Sequence, residues 1–477
     1  MLFNSFEFLI FFPIVTLVYF LLPKRVQWVW LLGMSYFFYM NWHAAYALLL
    51  AACTLVTFAC SLLIARQEDK RARKRVLIGG IVVNIGLLAY FKYTGFLLDL
   101  TERLCQIAGL AYVPPKVSIL LPVGISFYIF QALSYMIDVY KGRVKAETNL
   151  FKYALFVSFF PQLVAGPIER SSRLLGQVSA PHTFDWERAR QGLLIMALGF
   201  FEKMVLADRA CLYVDAVYGA WRTASGAQLA LATVVFAVQD LCDFAGYSHI
   251  AIGAAKILGI DLMTNFRQPY FAHSVQNFWA RWHISLSTWF RDYLYFPLGA
   301  GRGSKLKKHF NLMLVYTLSG LWHGAALKYV AWGVLNGALQ VGESMLPPAK
   351  RKPRYPKFNL LLHILWTDFL ILITMLIFRA SSLSAALGML RRIPTAWNAA
   401  AIETGFSPMQ ALCTAVCFAI LFAMEFLHEK RLTLTELTDR LPGAVRFVLY
   451  LLLVLAIAVF GVWGPGYNAQ AFIYFQF

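Results

Sequence analysis

Residues 44–75 read AAYALLLAACTLVTFACSLLIARQEDKRARKR. The segment 44–64 carries no charge, and about 20 such residues suffice to cross the hydrocarbon core of a bilayer. The ten positions that follow, Arg66 to Arg75, hold six basic side chains, the pattern of a loop retained on the cytosolic side. An uninterrupted apolar run of this length is a helix, because a spanning segment must satisfy its own backbone hydrogen bonds.

The same pattern repeats along the 477 residues. Further spans are expected over 6–22, 27–42, 76–98, 117–138, 191–207, 227–244, 310–323, 326–345, 358–378, 408–427 and 445–464. Composition agrees. The chain is 60% hydrophobic and 14% charged, against about 45–50% and about 25% in soluble domains. Its mean hydropathy is +0.61. The fold class expected is all-α and polytopic, with about 11–12 transmembrane helices plus re-entrant or in-plane pieces. No hydrophilic block is long enough for a soluble catalytic domain, so residues 1–477 are read as one integral-membrane domain, and the lipid bilayer is its first partner.

The net charge of +19 sits in short loops between apolar runs. That is a topological signal, and nucleic acid is not expected as a partner. Lys24-Arg25, Arg66–Arg75, Lys305–Lys308, Lys350–Lys357 and Lys430-Arg431 are assigned to the cytosol, which puts the N-terminus outside. Met1–Glu7 lacks the basic stretch and cleavage site of a signal peptide, so it is kept as part of the first span. The seven cysteines form no CxxC pair and read as small buried hydrophobes.

Two stretches break the pattern. The run 150–168 has basic residues on both flanks, and Phe159-Phe160-Pro161-Gln162 and Gly166-Pro167 interrupt it. A re-entrant segment is expected, with a cavity near Pro161–Pro167. The run 274–296 carries Arg281, His283, Arg291 and Asp292 among Phe278, Trp279, Trp282, Trp289 and Phe290. A lipid-facing span would not hold these polar groups. One tilted or in-plane helix is expected, with Arg281 on an interfacial face and His283, Trp279 and Ser287 turned inward, ended by Pro297 and Gly299.

Ionisable side chains at membrane depth mark candidate chemistry. Of nine histidines, His323 is set apart. It closes the run Leu318-Ser319-Gly320-Leu321-Trp322-His323-Gly324, and the two glycines leave room for close approach by a backbone or substrate. An imidazole here can act as a general base on a hydroxyl, or serve only to pack helices. His283 is the partner expected to assist, with the alternative that it merely anchors its helix. Asp240 and Asp243 lie in an apolar setting and need counter-charges, with Arg281 or Arg291 as candidates. Zinc signatures, phosphate loops, dinucleotide fingerprints and a GxSxG elbow are missing, so no metal or bound cofactor is expected.

The segment Phe278-Trp279-Ala280-Arg281-Trp282-His283-Ile284-Ser285-Leu286-Ser287-Thr288-Trp289-Phe290-Arg291-Asp292-Tyr293-Leu294-Tyr295 resembles the signature of membrane-bound O-acyltransferases, in the branch that acetylates alginate, peptidoglycan and cellulose. Leu318–Gly324 with Trp332 and Asn336 is similar to the segment around that family's catalytic histidine. Phe160–Ile168, Asp243–Ser248, Asn265-Phe266, Pro269-Tyr270 and Phe472–Phe477 match as well. His249 and Ala280 depart from it, standing where Asp and Arg are usual.

The resemblance implies a catalytic core at about 111–345, helices before and after it, and a tunnel through the membrane. His323 and His283 would be catalytic, and Trp279, Arg281, Ser287, Trp322, Asn336, Asp243, Tyr247 and Gln162 would line the path. It implies acetyl-CoA or another acetyl thioester as the cytosolic donor, a polysaccharide acceptor, an extracytoplasmic acetyltransferase partner, and the bacterial inner membrane as location. D-alanyl transfer to teichoic acid is a variant of the same chemistry. A transporter without chemistry is the other class left open by the re-entrant segment.

Overall fold

Long runs of Leu, Ala, Phe and Ile favour helix once their apolar faces have somewhere to go. Polar residues at the boundaries set the ends. Ser5 accepts from the Phe8 N–H to open Phe6–Leu21. Asp69 accepts from the N–H groups of Arg71 and Ala72 to open Lys70–Ile107, and Ser304 accepts from Lys307 to open Lys305–His323. A computed structural model of the chain describes residues 1–115, 117, 119–164, 166–346, 356–399 and 408–462. Every element among them is helical. The closing motif Phe472–Phe477 and most of the Lys350–Lys357 loop lie outside the described residues.

Ten of the twelve expected spans fall on a helix or on a helix with its π-helical continuation; 117–138 is helical only from Ile125, and 445–464 is helical as far as Phe460, with 463–464 outside the described residues. Among the described residues, six helices are long and apolar enough to cross a membrane: Tyr46–Arg66, Lys70–Ile107, Gly226–Ile257, Pro356–Arg379, Leu412–Glu429 and Gly443–Phe460. Phe6–Leu21 is a shorter apolar helix. Gly443–Phe460 has a hydropathy of 2.5 with 0% of its residues buried. Apolar surface of that extent has only lipid as a compatible solvent. The chain is a multi-pass helical membrane protein.

Two compact units form, Met1–Gly192 with Ala254–Met263, and Leu193–Gly253 with Thr264–Gln476. In the first, Phe3, Phe8, Phe38 and Phe160 pack ring against ring. The expected break in 150–168 is there: Leu150–Ser158 stops at Phe159, and Phe160–Leu163 adds one further turn. Phe159, Phe160, Gln162 and Leu163 are fully buried. Gly166 lies directly on the Gln162 backbone, and Gly124 on the Leu163 carbonyl. The cavity expected here is replaced, at these positions, by close packing. Ala165 lies outside the described residues.

In the second unit, helix 226–257 crosses the chain at Gly199 backbone to backbone. A Cβ on Gly199 or on Gly246 would strike the other's carbonyl. The helix before this crossing continues as a π-helical turn, Phe201–Ala207, that carries Glu202 and Lys203. Lys203 is buried and contacts Asp208 at 2.8 Å and Asp243 at 2.6 Å. Asp243 therefore has its counter-charge on a neighbouring helix, not from Arg281 or Arg291 as the sequence suggested. Arg291 pairs with Asp292 at 2.8 Å.

Candidate active site

His323 is the last residue of Lys305–His323, and Gly324 caps it in extended conformation. The helix packs on Leu327–Met345 at glycine contacts. A Cβ on Gly320 would run into the Tyr329 carbonyl and Gly333, and one on Gly324 into the Tyr329 ring. The room these glycines provide is thus filled by the neighbouring helix. The His323 ring is 4% exposed. Its centroid lies 5.0 Å from that of Trp332, 5.1 Å from Trp322 and 5.5 Å from Phe378.

The stretch around His283 departs from the single in-plane helix expected. It forms two short helices, Val275–Trp279 and Ile284–Phe290, followed by a π-helical turn, Arg291–Tyr295. His283 stands at the junction with φ 44° and ψ 55°, a left-handed conformation that costs a non-glycine residue about 1–3 kcal/mol. The neighbouring segment Asn265–Gln268 enforces it. Ile284 N–H donates to the Asn265 carbonyl at 2.9 Å, and Arg267 N–H to the Arg281 carbonyl at 2.9 Å. Asn265 Oδ1 accepts from Ser285 N–H at 3.3 Å, and its amide donates to Ser248 Oγ at 3.1 Å. These bonds outweigh the local preference for continuous helix.

The kinked backbone delivers a buried imidazole. His283 is 1% exposed. Its ring lies 4.7 Å from Phe244, 5.7 Å from Trp322 and 6.2 Å from His323, centroid to centroid. The two histidines singled out in the sequence, forty positions apart, share one aromatic chamber.

Trp279 and Ser287 line a cleft of about 450 Å³ whose walls also include Arg291, Lys308, Tyr316 and Gln340. Trp279 stacks edge-on against Trp332 at 5.4 Å, so one indole separates the cleft from the partner of His323. Trp322 touches both imidazoles. Asn336 is fully buried and donates to the Trp332 carbonyl at 2.9 Å.

Four other residues expected to line the path have partners of their own. Arg281 is not on the cleft; it pairs with Glu429 at 2.7 Å. Asp243 is taken by Lys203. Tyr247 is buried on the Gly226–Ile257 helix that carries Phe244. Gln162 belongs to the first unit, where its amide donates to Gln131. His249, the departure from the usual Asp, pairs with Glu202 at 2.7 Å. Among the described residues, no three His, Cys, Asp or Glu side chains are grouped as a metal ion would need.

Phe244, Phe378 and Lys203 are neighbours of these groups that the sequence does not single out, and Trp332, a motif residue in sequence, is a direct neighbour of His323. Lys203 had a signal, a charged Glu-Lys pair inside the apolar run 191–207. The phenylalanines had none, since only tertiary packing separates them from the chain's other 38.

The family model described as MBOAT, membrane-bound O-acyltransferase family, matches residues 141–387, a range that contains both histidines and the cleft. A probable alginate O-acetylase of Pseudomonas aeruginosa is 39% identical over 391 residues, 81% of this chain and 73% of the relative. A peptidoglycan O-acetyltransferase of Helicobacter pylori is 31% identical over 82% of this chain and 79% of its own. A teichoic acid D-alanyltransferase of Lacticaseibacillus rhamnosus is 28% identical over 57% of this chain and 75% of its own.

Proposed function

Because the chain belongs to the membrane-bound O-acyltransferase family, and so is an O-acyltransferase, we propose that it moves an acetyl group from a cytosolic thioester to hydroxyls of an extracytoplasmic polysaccharide. The observation that carries this reading is the pair of buried imidazoles, 6.2 Å apart, with His323 linked to the cleft through the indoles of Trp332 and Trp279. The acetyl chemistry is supported by the relatives that span most of this chain, which are named for acetyl transfer to alginate and peptidoglycan.

His323 acts as the general base. It removes the proton from the acceptor hydroxyl as the oxygen attacks the thioester carbonyl, and the imidazolium returns that proton to the departing thiolate. The C–O bond forms, the C–S bond breaks, and no net proton is consumed. His283 orients the acceptor or the donor carbonyl. The aromatic walls keep bulk water from hydrolysing the thioester. The cleft suits the donor: on its walls Arg291 and Lys308 outnumber the one acid, Glu343, and this balance complements the phosphates of acetyl-CoA. It adjoins the basic segment Lys305–Lys308 that the charge rule assigns to the cytosol.

The chain then sits in the bacterial inner membrane with its N-terminus outside, and a separate extracytoplasmic acetyltransferase carries the group to the glycan. The test compares wild type with His323→Ala at matched membrane level, measuring ester-linked groups on envelope glycans by mass. Loss of the acetyl ester is expected, and unchanged acetylation overturns the reading. Mild base distinguishes the variant chemistry, releasing acetate in one case and D-alanine in the other.

A further inference from the structure

Trp332 carries a donor that the packing around it does not use. Its indole is 2% exposed, and Nε1 has no hydrogen-bond acceptor among the described residues. A buried N–H left unpaired is rare in a folded protein and calls for an explanation. The ring is otherwise heavily engaged. It meets His323 edge-on at 5.0 Å, Trp279 at 5.4 Å and Phe378 at 5.4 Å. Asn336, one helical turn on, donates to the Trp332 carbonyl at 2.9 Å, so backbone and ring are both fixed. An apolar Phe would satisfy the same stacking without a stranded donor.

We propose that the Trp332 indole N–H is an oxyanion donor, hydrogen-bonding the thioester carbonyl oxygen as it becomes negative in the tetrahedral intermediate. When the acceptor oxygen bonds to the carbonyl carbon, the carbonyl π pair moves onto oxygen. When the thiolate leaves, that pair reforms the C=O bond. Trp332 makes or breaks no covalent bond and neither gains nor loses a proton. A fixed donor in a dry site stabilises this charge without reorganisation at the moment of reaction. The placement fits: Trp332 lies between the base, His323, and Trp279 on the cleft wall. The proposal rests on the acyl-transfer reading above and adds the group that stabilises its intermediate.

The experiment uses envelope membranes of the producing cell, which hold the full chain together with its extracytoplasmic acetyltransferase partner, with radiolabelled acetyl-CoA as donor and envelope polysaccharide as acceptor. Trp332→Phe removes the donor but also part of the ring. The same assay is therefore run with 3-benzothienylalanine at position 332, which keeps the bicyclic shape and replaces N–H by sulfur. Expected is a fall in kcat on the order of 10²-fold, with KM for acetyl-CoA unchanged and the melting temperature of the benzothienyl variant unchanged or raised. A residue with only a packing role would give the reverse, a stability change without a kcat effect in the isostere. Wild-type kcat in the benzothienyl variant, or a loss residing wholly in KM, overturns the proposal. His323→Ala runs alongside. Activity surviving there overturns the parent reading, whereas activity surviving only in the position-332 variants overturns this inference alone.

Discussion

Arg281 holds Glu429 with both terminal nitrogens of its guanidinium, Nη1 at 2.7 Å and Nη2 at 3.2 Å from the two carboxylate oxygens. Glu429 is the last residue of its helix, the end at which the helix dipole disfavours a carboxylate. Its presence there is explained by the fork it accepts. Arg281 Nη1 also donates to the Gln268 carbonyl at 3.2 Å. Gln268 and His283 are two of the four non-glycine residues with positive φ among those described. The ion pair thus ties the end of a membrane helix to the strained junction that presents His283.

Glu429→Gln replaces a two-pronged ionic contact with a neutral one and should loosen that junction. The acetyl-transfer rate is expected to fall at least about tenfold, since small misplacements at an oriented site carry such costs. KM for the donor should hold, because the cleft does not include Glu429. Glu429→Asp should retain part of the rate. A Glu429→Gln enzyme with wild-type kcat at matched membrane level removes the pair from the mechanism.

Lys203 poses a question of stability rather than rate. It is 1% exposed and lies between two carboxylates, Asp208 and Asp243. Lys203→Met would leave both acids buried without their cation, and breaking a buried pair in this way costs about 3–5 kcal/mol. A sharply lower melting temperature in detergent is expected. A triple variant that also carries Asp243→Asn and Asp208→Asn should recover most of it, and failure to recover would mean that the cost lies in packing.

Gly320 carries a different constraint. Any side chain there meets the Tyr329 carbonyl and Gly333, backbone atoms that yield only if the two helices separate. Gly320→Ala should cost about 1–3 kcal/mol as an overpacked contact, and it should displace His323, three residues on. Activity is expected to fall by more than the loss of folded protein accounts for. Equal losses in both would restrict the glycine to a packing role.

The helices were legible in the sequence because bilayer length and apolar composition act locally: each of the twelve runs contains a helix, although 117–138 becomes helical only at Ile125. His283 and His323 were legible because an imidazole at membrane depth needs a reason. The junction at His283 was not. Its left-handed backbone is imposed by hydrogen bonds from Asn265 and Arg267, and no periodicity within 274–296 encodes them. The partners of Asp243 and Arg281 were misjudged for the same reason. Nearness in sequence favoured pairing these two regions, whereas the fold supplies Lys203 and Glu429 from other helices. The Pro161–Pro167 break was read correctly as a break, but a proline in sequence does not reveal whether water or Gln131 will face it.

Glu169 offers a pH-dependent check on the first unit. It is fully buried and accepts from the Met263 N–H, with Arg173 Nε at 4.0 Å. Burial raises its pKa above the ordinary 4.5, and the Met263 hydrogen bond and Arg173 oppose this only in part. Between 4.5 and the raised value, the folded chain keeps a proton that the unfolded chain has released. Stability from this group is therefore greatest below that window and falls as pH rises through it. Glu169→Gln keeps an oxygen for the Met263 N–H and removes the ionisation. Melting curves in detergent from about pH 4 to about pH 7 should show the wild type losing stability relative to Glu169→Gln as the pH rises. A wild type that instead gains on the variant over that range would mean that Glu169 is held ionised by its neighbours and contributes through charge.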